Sequence, residues 1–191
     1  MSLRFAFNLG PIDFKKLKYI IVGDNPGKNE FKHNKFFIGQ SGTQLRNHFE
    51  ENGLVEEFEK ECLIFNKTFL STDKTNDLKL LKNQVGEDNF DRTLHFSANE
   101  IANFSNNLDL PVLIFGKSKL GQGKIFYPFW LKLTELCKPE RILVFSHPSN
   151  SNFTKEWNKF RELEKNKNNK DLLQHIGQIN YDIIQGLNGR T

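Results

Sequence analysis

Four short apolar runs interrupt an otherwise polar chain: Tyr19-Ile20-Ile21-Val22, Leu63-Ile64-Phe65, Val112-Leu113-Ile114-Phe115 and Ile142-Leu143-Val144-Phe145. None alternates apolar with polar residues, so each predicts a strand buried on both faces, as in a parallel sheet covered by helices. The runs stop at Gly23, Asn66, Gly116 and Ser146-His147-Pro148. Between them the apolar spacing becomes helical. Leu45 and Phe49 predict a helix over residues 43–51, with Ser41 as its cap and Gly53 as its stop. Further helices are expected over residues 97–106, 129–137, 152–165 and 172–184. Residues 71–93 are polar and weakly periodic, which predicts a loop with at most one helical turn. Residues 166–170 read as a polar linker and 186–191 as a frayed tail. Strand and helix alternating at this rhythm predict an α/β fold. The expected form is a three-layer α/β/α sandwich around a four-stranded, mostly parallel sheet, in one domain over residues 1–191.

Composition narrows the class only a little. A chain of 191 residues can bury a sizeable core. Its 27 Lys and Arg against 23 Asp and Glu give a net charge of +4, which permits a nucleic-acid partner without requiring one. Most of the 19 Phe are expected to fill the core. Cys62 and Cys137 have no CxxC around them, and His33, His48, His95 and His175 show no metal-site spacing. No metal, cofactor or disulfide framework is therefore expected, and free thiols fit a reducing, cytoplasmic compartment. No apolar stretch approaches transmembrane length, and the first residues lack the pattern of a signal peptide.

In open parallel sheets ligands bind beyond the carboxyl ends of the strands. That rule singles out Gly23-Asp24-Asn25-Pro26-Gly27, Asn66-Lys67-Thr68, Gly116-Lys117-Ser118 and His147-Pro148-Ser149. Here the sequence resembles a known family. Gly23-Asp24-Asn25-Pro26-Gly27 is similar to the first signature of the uracil-DNA glycosylase superfamily. The Asn-Pro-Gly core is that of the mismatch-specific and single-strand-selective branches, and the Gly-acid pair that of the thermostable branch. Phe36-Phe37-Ile38-Gly39-Gln40-Ser41-Gly42 resembles the Pro-Phe-Val-Gly-x-Ala-Gly segment of the thermostable branch. Leu63-Ile64-Phe65-Asn66 resembles the strand that ends in the base-reading Asn, and His147-Pro148-Ser149 the late His-Pro-Ser signature. The four segments occur in the family's order across residues 18–153.

The resemblance implies a monofunctional DNA glycosylase of base excision repair. It would act as a monomer on DNA that carries uracil or a related damaged or mismatched base, away from membranes. A flipped base needs an aromatic surface, the role implied for Phe37, with Phe36 the alternative. It needs edge recognition, implied for Asn66, whose amide offers a donor and an acceptor. His147 would bond the base as charge grows on it. Asn25, or after it Asp24, would hold the attacking water. Gly23 and Gly27 would let backbone and ligand approach closely. Ser149 and Lys117 are candidates for DNA-backbone contact, as are Lys28, Lys32 and Lys35.

The chain also departs from the family's pattern. It lacks the four cysteines of the thermostable branch's iron–sulfur cluster. Gly27 stands where the strict uracil branch has a Tyr that guards C5 of the base. The wedge Leu after His-Pro-Ser is missing; Phe153 is either its replacement or the first apolar residue of the next helix. These departures raise a second reading, a degenerate member that binds nucleic acid or a nucleobase without cleaving. A dinucleotide binder is the weakest alternative, since no GxGxxG follows a strand.

Overall fold

The computed structural model describes residues 13–33 and 35–186, so only Gly186 of the expected frayed tail is described. The four apolar runs become β1 (Tyr19–Gly23), β2 (Cys62–Asn66), β3 (Val112–Phe115) and β4 (Ile142–Phe145). They form one sheet in the order β2-β1-β3-β4, and every pair is parallel. In register, Gly23 lies beside Asn66, which brings the ends of β1 and β2 level.

Successive residues of each strand point to opposite faces. Ile20, Val22, Leu63, Val112, Ile114, Ile142 and Val144 join one apolar cluster. It is completed by α4 (Leu78–Val85), α5 (Glu87–Leu108) and α6 (Tyr127–Leu136). Ile21, Ile64, Leu113, Phe115, Leu143 and Phe145 join the second cluster. That one takes in α2 (Gln40–Glu51), α3 (Phe58–Glu61), α7 (Asn152–Leu163) and α8 (Asn169–Gln185). Covered on both faces, the strands have no polar side to show, hence their unbroken apolar runs. The short α1 (Lys28–His33) follows β1 and buries none of its residues. Among the described residues no helix is long and apolar enough to cross a membrane.

Several boundaries differ from those expected. Residues 71–93 are not a loop: they hold a 3-10 turn at Thr75–Asp77, all of α4 and the first turns of α5. The segment is polar because its apolar stripe is narrow. Only Leu78 and Leu81 of α4 are buried, and α5 reaches the core through Phe90, Leu94, Ala98, Ile101 and Ala102. The helix expected over 97–106 is thus the second half of a 22-residue helix. Ser41 does not cap α2; Gly39 holds that position and no side-chain cap bond forms. The chain leaves α2 through Asn52 and then Gly53, whose φ is +62°.

Candidate functional site

Segments following β1, β2 and β4 meet around a cavity of about 480 Å³. Its walls include Asp24, Asn25, Gly27, Phe37, Asn66 and His147, drawn from four separate stretches of sequence. Lys28 also lines it. Neither Phe36 nor Lys117 does: Phe36 is buried in the second core cluster, and the Lys117 ammonium is held by Glu156 and by Asn180 Oδ1 at 2.8 Å. Ser149 sits behind His147 and bonds its ring.

Gly23 does not line the cavity but lies against two residues that do. A Cβ built there would lie 2.4 Å from Asn66 Oδ1 and 2.5 Å from Phe37 Cε2, so the amide and the ring close together over bare backbone. Phe37 has φ of 56°, a left-handed conformation that a Phe rarely adopts without support. The support is visible: Arg46 donates to the Phe37 carbonyl while also pairing with Glu59. Gly42 leaves that carbonyl room, since a Cβ there would come within 1.7 Å of it. Glu30 ties the same loop to the Asn-Pro-Gly turn. Its Oε2 accepts the Gly27 N–H at 2.7 Å, and the N–H groups of Phe37 and Ile38 also face the carboxylate. Burial still pushes the Glu30 carboxyl above its ordinary pKa.

The three polar walls differ in how their groups are engaged. Asn66 is 5% exposed, and its Nδ2 has no hydrogen-bond partner. Asn25 spends its amide N–H groups on Thr72 Oγ1 at 2.9 Å and on the Pro26 carbonyl at 3.2 Å. Thr72 passes its own proton to the Lys74 carbonyl at 2.9 Å, so the Asn25 amide is fixed with its oxygen as the remaining acceptor. His147 Nδ1 receives the Ser149 backbone N–H at 3.1 Å and lies 2.8 Å from Ser149 Oγ. A nitrogen that accepts an N–H carries no proton of its own, so the neutral ring has its proton on Nε2. Burial lowers the His147 pKa, Asp24 works against that, and Lys67 and Lys119 reinforce it; the net direction is down.

Asp24 is buried and engaged on both oxygens, by Lys67 Nζ at 2.7 Å and Lys119 Nζ at 2.6 Å. Burial alone would raise its pKa, but the two lysines, with His147 adding, hold it below the ordinary carboxylate value. Phe153 is 1% exposed and packs against Phe115, Phe145 and Trp157, so it is the first apolar residue of α7 and not a projecting wedge. Glu30, Arg46, Thr72 and Lys119 escaped the sequence reading, and Lys67, within a segment it singled out, was given no role. One signal was present: an Asp directly after a strand buried on both faces needs a cation nearby.

The geometry can be set beside known proteins. A family model, that of the uracil DNA glycosylase superfamily, matches residues 10–173. No curated protein matches the chain.

Proposed function

Since the chain belongs to the uracil DNA glycosylase superfamily, we propose that it hydrolyses the N-glycosidic bond of uracil or a related damaged or mismatched base in DNA. The observation that carries this reading is the buried, unpartnered Nδ2 of Asn66 on the cavity wall. A buried donor left without an acceptor costs about 1–3 kcal/mol, and a flipped base with a carbonyl on its edge would satisfy it. In this reading the base stacks on Phe37, and Asn66 donates to its O4. Asn25 Oδ1 accepts a hydrogen bond from the attacking water, and Nε2–H of His147 donates to O2. As the C1′–N1 bond breaks, its electron pair passes to the base and is shared by N1 and O2. The water oxygen bonds C1′ and releases a proton to solvent. A neutral His147 gains most from its hydrogen bond when that charge has formed, which is binding of the transition state rather than of the substrate.

Base choice follows from the same walls. An added Cβ on Gly27 would meet only Glu30 Oε2, at 3.6 Å, so no side chain at this position closes the space beside the base. Uracil and its C5-substituted relatives share the O4 and N3 edge that Asn66 reads, so both classes should be accepted. The test is alkaline strand cleavage after incubation with oligonucleotides carrying uracil or 5-substituted uracils, single-stranded and paired with guanine. Excision of uracil with tolerance at C5 is expected, faster from single strands. Tight binding without any abasic product would favour the binding-only reading. One observation speaks for that alternative: with Phe153 buried, the loop 147–153 offers no apolar wedge to hold a duplex open.

A further inference from the structure

Directly behind the cavity wall lies a charge cluster that the steps above do not use. Lys67 is fully buried; besides Asp24 it donates to the carbonyls of Phe115 and Gly23, and it lies 5.0 Å from the centre of the Phe126 ring. Burial lowers the Lys67 pKa and Asp24 works against that, but a nitrogen surrounded by three acceptors and an aromatic face needs all three protons, so Lys67 is an ammonium. Lys119 closes the other side of Asp24, its side chain 30% exposed. The cluster is built to fit. A Cβ on Gly116 would lie 2.5 Å from Asp24 Oδ1, so β3 is followed by a residue that admits the carboxylate.

Two cations around one carboxylate leave one positive charge uncompensated. A buried carboxylate needs one partner; a second lysine adds self-repulsion and desolvation that a purely structural pin does not require. Neither lysine lines the cavity, but both are clamped on Asp24, which does, so the surplus lies directly behind that wall, and His147 on the same cavity feels all three charges. We infer that Lys67 and Lys119, clamped on Asp24, form a fixed cationic floor that stabilises the negative charge reaching the base as it leaves, and that Asp24 holds the lysines rather than taking a proton from water. This rests on the glycosylase reading and deepens it. The floor is already in place before reaction, so it acts without the reorganisation that solvent would need. Burial is the main reason that His147 refuses a second proton; of its charged neighbours, Lys67 after β2 and Lys119 after β3 add to that effect and Asp24 after β1 opposes it. The histidine therefore stays a neutral donor.

The net charge can be permuted without emptying the cluster. Lys119→Met leaves none, Lys119→Arg keeps one, and Asp24→Asn removes the carboxylate while the partly exposed Lys119 keeps its charge. Two measurements follow the series: single-turnover excision from a uracil-containing single strand, and the affinity of free uracil against 5-nitrouracil, an anion at neutral pH. Lys119→Met should slow excision and weaken 5-nitrouracil by roughly tenfold each, with a much smaller change for neutral uracil. Lys119→Arg and Asp24→Asn should each keep most of both the rate and the 5-nitrouracil affinity. In Lys119→Met the acid limb of the pH–rate profile should move to higher pH, because a cation that repelled a proton from His147 has gone. An Asp24→Asn variant that binds 5-nitrouracil as the native chain does, yet excises as slowly as Lys119→Met or more slowly, would make Asp24 the base for water and overturn the inference. Equal weakening of uracil and 5-nitrouracil, in step with a fall in thermal stability, would reduce the cluster to a structural pin and also overturn it. If the native chain cleaves no uracil-containing strand but 5-nitrouracil affinity still follows the net charge, the glycosylase reading fails and the cationic floor stands.

Discussion

Asn66 and His147 illustrate opposite ways of holding a polar group ready. The Asn66 nitrogen is kept unbonded inside the protein, at a cost to folding. Asn66→Leu removes that cost while keeping the volume, so it should raise the unfolding free energy by about 1 kcal/mol in urea titration. The same variant should bind free uracil far more weakly. A substitution that stabilises the protein and empties the site would mark Asn66 as a reading group; loss of stability would show that the amide serves the fold. His147 is instead fully oriented, by two bonds from Ser149 to one ring nitrogen. His147→Ala should raise the barrier to excision by roughly 2–4 kcal/mol, as loss of a donor to developing charge does. DNA affinity, measured by fluorescence anisotropy, should change little, because the bond forms in strength only as the base departs.

At the scale of elements, the Phe37 loop depends on α2. The helix presents Gly42 and Arg46 on one face, one leaving room for the Phe37 carbonyl and the other bonding it. Gly42→Ala should push that carbonyl away and cost about 1–3 kcal/mol of stability, the usual range for overpacking. It should also weaken uracil binding measured by calorimetry, although residue 42 would offer the base no polar group. If uracil binds the variant as it binds the native protein, the ring is not the stacking surface. The elements themselves were legible to different degrees. The four strands could be read because burial on both faces leaves no ambiguity in an apolar run. The α4 helix and the start of α5 could not, because two buried leucines in α4 and a one-residue-wide stripe in α5 are lost among charged neighbours. The four motifs, three at strand ends and one before α2, include residues of the cavity walls. The partners that hold them were hidden because polar contacts join distant segments: Asp24 and Lys119 are 95 residues apart, Asn25 and Thr72 are 47 apart.

Across the whole molecule, acid should loosen the fold before it reaches ordinary carboxylate pKa values. His48 is 8% exposed between Phe153 and Trp157, its Nε2 has no partner, and burial lowers its pKa from 6.5 to about 4. Between those values the unfolded chain takes up a proton that the folded chain refuses, so stability is complete above pH 6.5 and falls as pH drops towards 4. The loss from this group amounts to about 3 kcal/mol and levels off below its folded pKa. Asp24, with its lowered pKa, pulls in the same direction at lower pH, whereas Glu30, raised by burial, opposes it. Urea midpoints from pH 7.5 to 4.5 should fall, and His48→Leu should flatten the upper part of that slope; an unchanged slope would mean that His48 titrates normally in the folded protein.

The α8 helix carries a consequence for how far the family likeness reaches. Asn180 donates to the Val144 carbonyl and to Glu156, and accepts from Lys117; Glu156 in turn receives the Ser146 N–H, next to His147. The stretch that matches the family ends at 173, before Asn180. The cavity wall lies within the matched stretch, while part of the brace behind its histidine lies outside it. Two relatives could agree at every cavity-lining residue and still differ in rate through this brace. Asn180→Ala, made in the whole chain, should slow excision by roughly three- to tenfold while leaving uracil affinity within about twofold, since the aim of His147 matters most where charge develops.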